Sequence, residues 1–495
     1  MNSTYPKLPF FLQRIALVIF SILPVGLSFY HQLIHIAGSW APSTFIRTGL
    51  IVGLLFLPLL AIAVRNDFWA AIEKTGYIPL LWVIFLAIGL RLIVLPLLST
   101  NFSSDMLDMH LFAVDVISGQ PFENLEDYQG IPWAVHLNMT GLVTSVIYRI
   151  FGASFATAKM FMVVLAGLTV WLVYLAGKQT AGARVGLIAA SLYGTLPALV
   201  GYSGVLSGEH FALPLLVLSL LFYARLKSFA EDRWTYSLAG YVLCGIAVGL
   251  IDWFRPGGII LLTALLITDL IYWKREIAAA RQLFPLGLML VSYFLVSSTA
   301  VAISERFFRT DVMSAVEQSG HFILLGLNPE HKGVINNEDR EIAFDAYERF
   351  GDDKTAANIY LVQLALDRLR GASLLDLFQS KFSLIWSNHW QLFQISLNGS
   401  NDHEVVGVLS EIDGLIYLLV TLLIGVNIYA SFVNRRHPAV FVMQLFILGF
   451  AIWSLILEAQ NRYAIITFPY QMLLAALGLS SLPRFISRRK DPLSD

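Results

Sequence analysis

A short polar segment, residues 103–108, directly follows a long apolar run and carries two carboxylates, Asp105 and Asp108. A charged side chain at the edge of apolar, membrane-embedded sequence is costly, and such residues usually serve function. A carboxylate of this kind can accept a proton from the hydroxyl group of an acceptor. Asp105 is therefore the first candidate catalytic residue of this chain, and Asp108 follows it by about one helical turn.

Other short segments between apolar stretches carry polar side chains that would accompany Asp105. Two acids, Asp105 and Glu209, would be joined by two arginines, and together these groups would hold an anionic lipid headgroup and remove a proton from an acceptor. The additional candidates in these segments are Glu209 and His210, Arg255, and then Glu458, Arg462 and Tyr463.

Each of these candidates also has a plainer interpretation. Glu209 at the start of an apolar helix is a favourable partner for the helix dipole, and Arg255 and Arg462 are long enough to extend to lipid phosphates. The His-rich spacing of zinc sites is absent, which disfavours a metal-ligand role for His110 and His210.

The composition indicates the environment in which these side chains act. The chain is 57% hydrophobic and 14% charged, with a mean hydropathy of +0.68, whereas soluble domains are about 25% charged. The sequence predicts an all-α polytopic membrane protein. The net charge of −1 gives no general attraction to nucleic acid. The single cysteine, Cys244, excludes an intramolecular disulfide and multi-cysteine metal sites.

Apolar stretches of the length needed to cross a bilayer recur along the chain. They predict a bundle of about 12–13 transmembrane helices with interfacial helices in the outer loops. The predicted spans lie near 11–36, 46–64, 78–98, 155–176, 183–204, 210–226, 236–251, 257–273, 284–304, 412–432, 438–456 and 464–482.

Lys and Arg clusters predict the orientation, because short loops rich in these residues stay cytoplasmic. Both termini are then inside a multi-pass cell-membrane protein, and the candidate site is extracytoplasmic. Residues 138–151 are apolar but only about 14 residues long, which favours a segment that does not cross; a start at Pro132 would make it long enough to cross. The outer loops are 99–154, 205–209, 252–256, 305–411 and 457–463.

The predicted organisation divides the chain by its relation to the membrane. Amphipathic helices are expected in the first outer loop, with a break at Gly119, and residues 374–397 are expected to form an interfacial helix in the second. The segments are N-terminal transmembrane helices at 1–98, the first outer loop with Asp105 at 99–154, a transmembrane core at 155–304, an outer loop at 305–411, C-terminal transmembrane helices at 412–482 and a cytoplasmic tail at 483–495.

The order of these motifs resembles the GT-C superfamily, and within it the family 39-like polyprenyl-phosphate-sugar-dependent glycosyltransferases, which include protein O-mannosyltransferases and lipid A aminoarabinose transferases. The chain departs from that pattern in having Asp105-Met106 where many members have Asp-Glu, and two additional spans before the first outer loop. The residues that carry the resemblance are Ser104-Asp105, Ala113, Gly119-Gln120-Pro121, Ile150-Phe151-Gly152, Pro197, Ser207-Gly208-Glu209, Gly326-Leu327-Asn328, Gly333, Asn336-Asn337, Asp339, Glu458, Arg462-Tyr463 and Pro469.

The resemblance implies transfer of a hexosyl or pentosyl group from a polyprenyl-phosphate carrier to an acceptor hydroxyl, with inversion, in glycosylation of the cell envelope. Asp105 would be the general base, and Arg255 and Arg462 would stabilise the departing phosphate. Glu209 would orient the acceptor or, with Asp105, bind a divalent cation in members that use one. The implied partners are the lipid-linked donor, a glycan, lipid or protein acceptor, and the bilayer; His210, Tyr463 and Asp108 complete the candidate substrate-binding set.

Two other functions remain open from the sequence. A transporter or flippase for lipid-linked saccharides would need polar residues along a path through the spans, and the spans here are largely free of charge. A polymerase or ligase that uses diphosphate-linked glycans would favour several arginines in a large outer loop. The arginines that keep this second alternative open are Arg306, Arg309, Arg340 and Arg368.

Overall fold

The structure is a computed structural model, and every regular element within the residues that it describes is a helix, which confirms the all-α prediction. A helix satisfies its own backbone hydrogen bonds, as a chain inside a bilayer must. The described residues are 23–39, 48–50, 52, 65, 69, 74–97, 104–119, 134–228, 234–273, 278–308, 319–351, 353–387, 389–396, 403–433 and 437–488.

The helices are numbered here in chain order. Two short 3₁₀ helices, Leu95–Leu97 and Asn461–Thr467, accompany them. The α-helices are α1 Leu23–Ser39, α2 Ile78–Val94, α3 Asp105–Ser118, α4 Val135–Phe151, α5 Phe155–Ala181, α6 Ala183–Thr195, α7 Pro197–Tyr202, α8 Gly208–Ser228, α9 Trp234–Phe254, α10 Gly258–Ile271, α11 Ala279–Phe308, α12 Ser319–Gly326, α13 Asn337–Phe350, α14 Lys354–Arg368, α15 Leu374–Trp386, α16 Trp390–Ser396, α17 His403–Val433, α18 Pro438–Ile456 and α19 Phe468–Arg488.

The described part of the chain contains 6 helices that are long and apolar enough to cross a membrane. Each coincides with a predicted span, so the multi-pass membrane prediction is confirmed. These helical segments are Phe155–Ala181, Gly208–Ser228, Ala279–Arg306, Val406–Ser431, Pro438–Ile456 and Asn461–Leu482, and shorter apolar helices lie at Ile78–Val94, Leu238–Phe254 and Gly258–Ile271.

Three predicted segments differ in detail. The span predicted at 183–204 is divided into α6 and α7, because Pro197 holds the preceding Leu196 in an extended conformation. Helix α4 has 17 residues and is not one of the apolar helices named above. The predicted span at 11–36 is described only from residue 23, and most of the span at 46–64 lies outside the described residues.

The segment predicted as the first outer loop contains the amphipathic helix expected from the sequence. Helix α3 begins at Asp105 and ends at Ser118, where Gly119 adopts a left-handed conformation with φ of 65°. That conformation is a common helix stop and suits glycine because it has no Cβ. The buried side of α3, which includes Met109 and Phe112, packs on α4. The Phe112 ring also accounts for the presence of glycine at position 141 of α4, because a Cβ there would lie 2.4 Å from the ring.

The segment predicted as the second outer loop, 305–411, contains a small helical unit with its own core. Its described residues between 319 and 396 are called the second outer segment, or the outer segment. Helices α12, α13 and α14 enclose Leu324, Leu327, Ala343, Ala346, Leu361 and Ala365. The predicted helix at 374–397 is present as α15 and α16 with a break between them. His389 lies at this break, and its Nδ1 atom contacts Asp413 of α17. The helix is therefore interrupted where the His389 side chain is directed toward the bundle.

We expect Gly478→Ala to destabilise the bundle by about 1–3 kcal/mol, because overpacking has this effect in a close-packed interior. Gly478 of α19 approaches α17 so closely that a Cβ would lie 1.9 Å from the carbonyl oxygen of Leu423. Small residues permit such close helix contacts in membranes. The measurement is the unfolding temperature of the detergent-solubilised protein.

Gly425→Ala is the matched control for Gly478→Ala. Gly425 lies on the facing helix α17, where nothing stands within 4 Å of an added Cβ. This variant should unfold at the wild-type temperature or slightly above it, because alanine favours helix over glycine. Equal effects of the two substitutions would show that the α17–α19 approach is not the cause.

Candidate active site at one end of the bundle

Four segments that are far apart in the sequence meet at one end of the bundle. The start of α3 contacts the 3₁₀ helix before α19, since Arg462 Nη2 lies 3.4 Å from Asp105 Oδ2. The start of α8 meets the residue after α9, since Arg255 Nη1 lies 3.6 Å from Glu209 Oε1. The two acids and two arginines chosen from the sequence therefore form two ion pairs.

Tyr463 joins the two ion pairs. The guanidinium carbon of Arg255 lies 4.4 Å from the centre of the Tyr463 ring, and that of Arg462 lies 5.9 Å from it. A cation over an aromatic face is attracted to the ring. The Tyr463 hydroxyl donates a hydrogen bond of 3.4 Å to Glu458. One aromatic side chain thus contacts both arginines.

The side chains of the two ion pairs become less exposed from Asp105 inward. The exposed fraction is 39% for Asp105 and 18% for Arg462, against 14% for Arg255 and 5% for Glu209. The Asp105 carboxylate therefore stands at the solvent-accessible opening of the site. Glu209 forms its inner wall.

Opposing effects set the pKa of Asp105. Burial alone would raise it, but the charges of Arg462 and His136, with hydrogen bonds from Arg462 and Ser104, outweigh burial and hold the pKa below its ordinary value. Burial first, and then the charge of Arg255, lower the pKa of His136 to about 4. At neutral pH, Asp105 is therefore ionised and His136 is neutral.

Glu458 is a third carboxyl group of the site and is 2% exposed. It accepts hydrogen bonds from the side chains of Gln460 and Tyr463. Burial nevertheless raises the pKa of Glu458 above its ordinary value, although Arg462 and Arg255 act in the opposite direction. Glu458 thus takes up a proton at higher pH than Asp105 does.

Several buried polar atoms around the ion pairs have no partner at ordinary hydrogen-bond geometry within the described chain, although the side chain of Ser207 interacts with those of Tyr202 and Glu209. Buried polar atoms are normally satisfied by protein, water or ligand. Both hydrogen-bond donors and acceptors occur in the set, so a ligand that carries several hydroxyl groups would match it. The atoms are Tyr202 Oη, Ser207 Oγ, Glu209 Oε1, Asn461 Oδ1 and Arg462 Nε.

The sequence around Glu209 and Arg255 fixes their relative position. A Cβ at Gly208 would lie 2.1 Å from the carbonyl oxygen of Phe254, so only glycine lets the start of α8 approach the end of α9 this closely. Asp252 accepts hydrogen bonds from the backbone of Gly257 and Gly258, at 3.0 and 2.7 Å. These contacts close the turn that carries Arg255.

The loop that carries Glu458 and Arg462 is held by the second outer segment. The backbone N–H of Glu458 donates to Phe322 O at 3.0 Å, and that of Ala459 donates to Gly333 O at 2.8 Å. The backbone N–H of Asn461 donates to the side chain of Gln391 at 3.1 Å. Successive N–H groups of this loop therefore bind to residues of the outer segment.

The remaining sequence candidates lie near the ion pairs but face other groups. His210 Nε2 lies 3.0 Å from the carbonyl oxygen of Tyr202, and the two rings stack 5.2 Å apart. Asp108 is 7% exposed, on the buried side of α3. His110 Nδ1 lies 2.6 Å from the Tyr148 hydroxyl. The structure thus brings Asp105, Glu209, Arg255, Arg462 and Tyr463 together, with Glu458 beside them.

Sequence reasoning missed His136 and Tyr202 as site residues. Both interact electrostatically with Glu209 and the two arginines. Neither lies in a charged or polar motif, so the sequence carries no signal that would single them out. Among the described residues, no three His, Cys, Asp or Glu side chains are grouped as the ligands of a metal ion would be.

The later motif residues stabilise the outer segment. Asp339 is fully buried and accepts hydrogen bonds of 2.8 Å from both Asn328 and Asn336. Arg368, one of the arginines that kept a polymerase or ligase open, forms an ion pair with the same carboxylate. Burial would raise the pKa of Asp339, but these hydrogen bonds and the charge of Arg368 lower it.

Comparisons with known proteins found structures of similar fold. AglB, the oligosaccharyltransferase of Archaeoglobus fulgidus, in complex with an inhibitory peptide and a dolichol-phosphate, has 15% identity over 83% of this chain and 51% of that chain, with a TM-score of 0.47. The apo form of the same oligosaccharyltransferase has 16% identity over 85% of this chain and 52% of that chain, with a TM-score of 0.49. ArnT of Cupriavidus metallidurans bound to undecaprenyl phosphate has 14% identity over 86% of this chain and 80% of that chain, with a TM-score of 0.34.

The present chain spans about half the length of the oligosaccharyltransferase it matches. No family model and no curated protein matches the chain.

Arg462→Gln should raise the pKa of Asp105, because it removes the nearest positive charge while the effect of burial remains. The pKa follows from the pH dependence of carbodiimide labelling of Asp105, read by mass spectrometry, since only the protonated carboxyl group reacts. The wild-type midpoint should lie below the ordinary value of about 3.9. That of Arg462→Gln should lie above the wild-type midpoint.

Arg368→Gln is the control for this titration, because it breaks an arginine–carboxylate pair with Asp339 in the outer segment. It should leave the Asp105 midpoint unchanged. An Asp105 midpoint that is the same in folded Arg462→Gln and in wild type would contradict the assigned effect of Arg462.

Proposed function

We propose that this protein is a membrane glycosyltransferase that moves a sugar from a polyprenyl-phosphate carrier to an acceptor hydroxyl group. The observation that carries the proposal is the pair of arginines beside an accessible, ionised carboxylate. The guanidinium carbons of Arg255 and Arg462 lie 4.4 and 5.9 Å from the centre of the Tyr463 ring, and Asp105 is 39% exposed. This arrangement combines an anion-binding surface with a base.

The position of the site favours a lipid-linked donor. Glu209 lies in the first turn of a helix long enough to cross the membrane, and Arg255 directly follows the apolar helix α9. Arg462 lies at the start of another such helical segment. Charges at the ends of apolar helices stand at the level of lipid headgroups. A phosphate bound here would leave its apolar chain in the bilayer.

The proposed reaction is a single displacement. The Asp105 carboxylate accepts the proton of the acceptor hydroxyl as that oxygen forms a bond to the anomeric carbon. The bond from this carbon to the phosphate oxygen breaks, and its electron pair leaves with the polyprenyl phosphate. Because attack and departure occur on opposite faces of the carbon, the configuration inverts. Arg255 and Arg462 stabilise the charge on the departing phosphate.

The buried polar atoms beside Glu209 would bind the transferred sugar. The Glu209 carboxylate accepts hydrogen bonds, and the hydroxyls of Tyr202 and Ser207 both donate and accept them. These groups are buried, and Tyr202 Oη, Ser207 Oγ and Glu209 Oε1 have no partner at ordinary hydrogen-bond geometry among the described residues. Sugar hydroxyls would satisfy them, so this inner wall is the part of the site that would select the hexose or pentose.

The Lys and Arg clusters favour an extracytoplasmic position for this end of the bundle in the cell membrane. Donor and acceptor would then meet in the cell envelope, where the acceptor is a glycan, a lipid or a protein. The helical bundle would support the site without providing a path across the membrane, because the charged candidates gather at one end of it.

Asp105→Asn should reduce sugar transfer by about 10²–10⁴-fold, the usual contribution of a general base. The assay offers radiolabelled undecaprenyl-phosphate sugars, with membrane or cell-wall acceptors, to purified protein in lipid. Asparagine keeps the size of the side chain and removes its basicity. The rate of label transfer is compared in proteins that elute identically on gel filtration.

Asp115→Asn is the matched control, because Asp115 belongs to the same helix but lies near its other end. Its transfer rate should equal that of wild type. Transfer that survives in Asp105→Asn would place the base on another residue. Absence of transfer by wild type from every monophosphate donor would count against the proposed reaction and favour transport or diphosphate-linked substrates.

Arg255→Gln should weaken binding of undecaprenyl phosphate by about tenfold or more, because a hydrogen bond to a charged group contributes about 1.5–3 kcal/mol. Arg255 is 14% exposed and near the second arginine, so screening by water is limited. Affinity is measured by native mass spectrometry of the lipid-bound protein. Arg349→Gln, on α13 in the outer segment, should bind as wild type does; equal affinity of the Arg255 variant would remove this arginine from the phosphate site.

A further inference from the structure

Lys381 of α15 is the most enclosed cation among the described residues of the second outer segment. Its side chain is 0% exposed. The Nζ atom donates hydrogen bonds of 2.7 Å to each of three backbone carbonyl oxygens, those of Gly326, Leu455 and Leu457. An ammonium group has three N–H donors and no acceptor. All three donors of Lys381 are therefore used by the backbone.

The three carbonyl groups belong to two separate segments. Gly326 ends α12 in the outer segment, whereas Leu455 and Leu457 stand at the end of α18 in the bundle. Carbonyl groups at the end of a helix lack partners within the helix. The ammonium group satisfies them and also joins the outer segment to the last turn of α18.

The backbone around Lys381 is packed so tightly that glycine is required. A Cβ at Gly326 would lie 2.3 Å from the carbonyl oxygen of Ile456. A Cβ at Gly333 would lie 2.7 Å from Lys381 Cδ, and Gly333 has a φ of 72°. These are the glycines of the later sequence motif, and their role is to let the two segments close around one ammonium group.

The chain that Lys381 holds leads directly into the candidate site. Leu457 is followed by Glu458, and the loop then reaches Arg462 and Tyr463. The backbone N–H groups of Glu458 and Ala459 bind the same outer segment, as described above. The carbonyl groups before Glu458 are thus fixed by Lys381, and the N–H groups after them are fixed by Phe322 and Gly333.

We propose that Lys381 is a positioning residue of the active site, which fixes the loop at Leu455–Leu457 and thereby places Arg462 against Asp105. The second outer segment then completes the site without touching the substrate. This inference rests on the proposed function for its catalytic consequence, but the position of Arg462 relative to Asp105 can be tested without any transfer reaction.

The test is Lys381→Met, which keeps an unbranched side chain of similar length and removes the donors. In the folded variant, Arg462 should lose its position beside Asp105, so the midpoint of carbodiimide labelling of Asp105 should move upward toward that of Arg462→Gln. Transfer should fall by about 10²-fold, the effect of misplacing a catalytic group by about 1 Å. Lys354→Met, at the start of α14, is the matched control and should match wild type in both measurements.

Rescue separates positioning from general stability. Lys381→Cys, made in a Cys244→Ser background and alkylated with 2-bromoethylamine, restores an ammonium group of nearly the same reach. It should recover the wild-type labelling midpoint and transfer rate. Failure to recover the midpoint when alkylation is complete and the protein is folded would overturn the inference.

Gly333→Ala provides a second variant if Lys381→Met does not fold, because its Cβ displaces the Lys381 side chain while the charge remains. It should shift the Asp105 midpoint in the same direction. An unchanged midpoint in either folded variant overturns the role of Lys381, whatever the transfer rate. Loss of the proposed function would instead appear as absence of transfer by wild type, with the midpoints still shifted by the Lys381 variants.

Discussion

The contact between Asp105 and Arg462 is the constraint on which the site depends, because it joins residues 357 positions apart in the chain. Arg462 must satisfy two demands at once: it neutralises a carboxylate and stands beside the ring of Tyr463. Arg462 can make both contacts only if the loop after α18 is fixed in place. The tight approach of α8 to α9 serves the same purpose for Glu209 and Arg255.

Much of this arrangement could be predicted from the sequence, for a physical reason. Charged side chains at the ends of apolar helices cannot enter the hydrocarbon region, so those on the same side of the membrane must lie at one level. Asp105, Glu209, Arg255 and Arg462 follow from this argument, and opposite charges at one level attract. The break before Pro197 could also have been predicted, because proline disfavours a helical conformation in the residue before it.

Other parts depend on tertiary contacts that no local pattern reveals. Glu209 and His210 are neighbours in the sequence, yet successive residues of a helix point about 100° apart, so one faces Arg255 and the other faces Tyr202. The residues around Lys381 have the composition of an interfacial helix, which predicts that the lysine side chain extends to water. Its burial results from the packing of Gly326 and Gly333, which lie about 50 residues earlier in the chain.

The charges of the site determine which carboxyl group would take up a proton first. Asp105, Glu209 and Glu458 face Arg255 and Arg462, so the carboxyl groups outnumber the guanidinium groups even without the proposed phosphate. A bound phosphate would add another negative charge, which would raise the pKa of nearby carboxyl groups further. Glu458 already has a raised pKa because it is buried, so it would take up a proton first. Asp105, which is more exposed and paired with Arg462, would keep its charge, as the proposed role of general base requires.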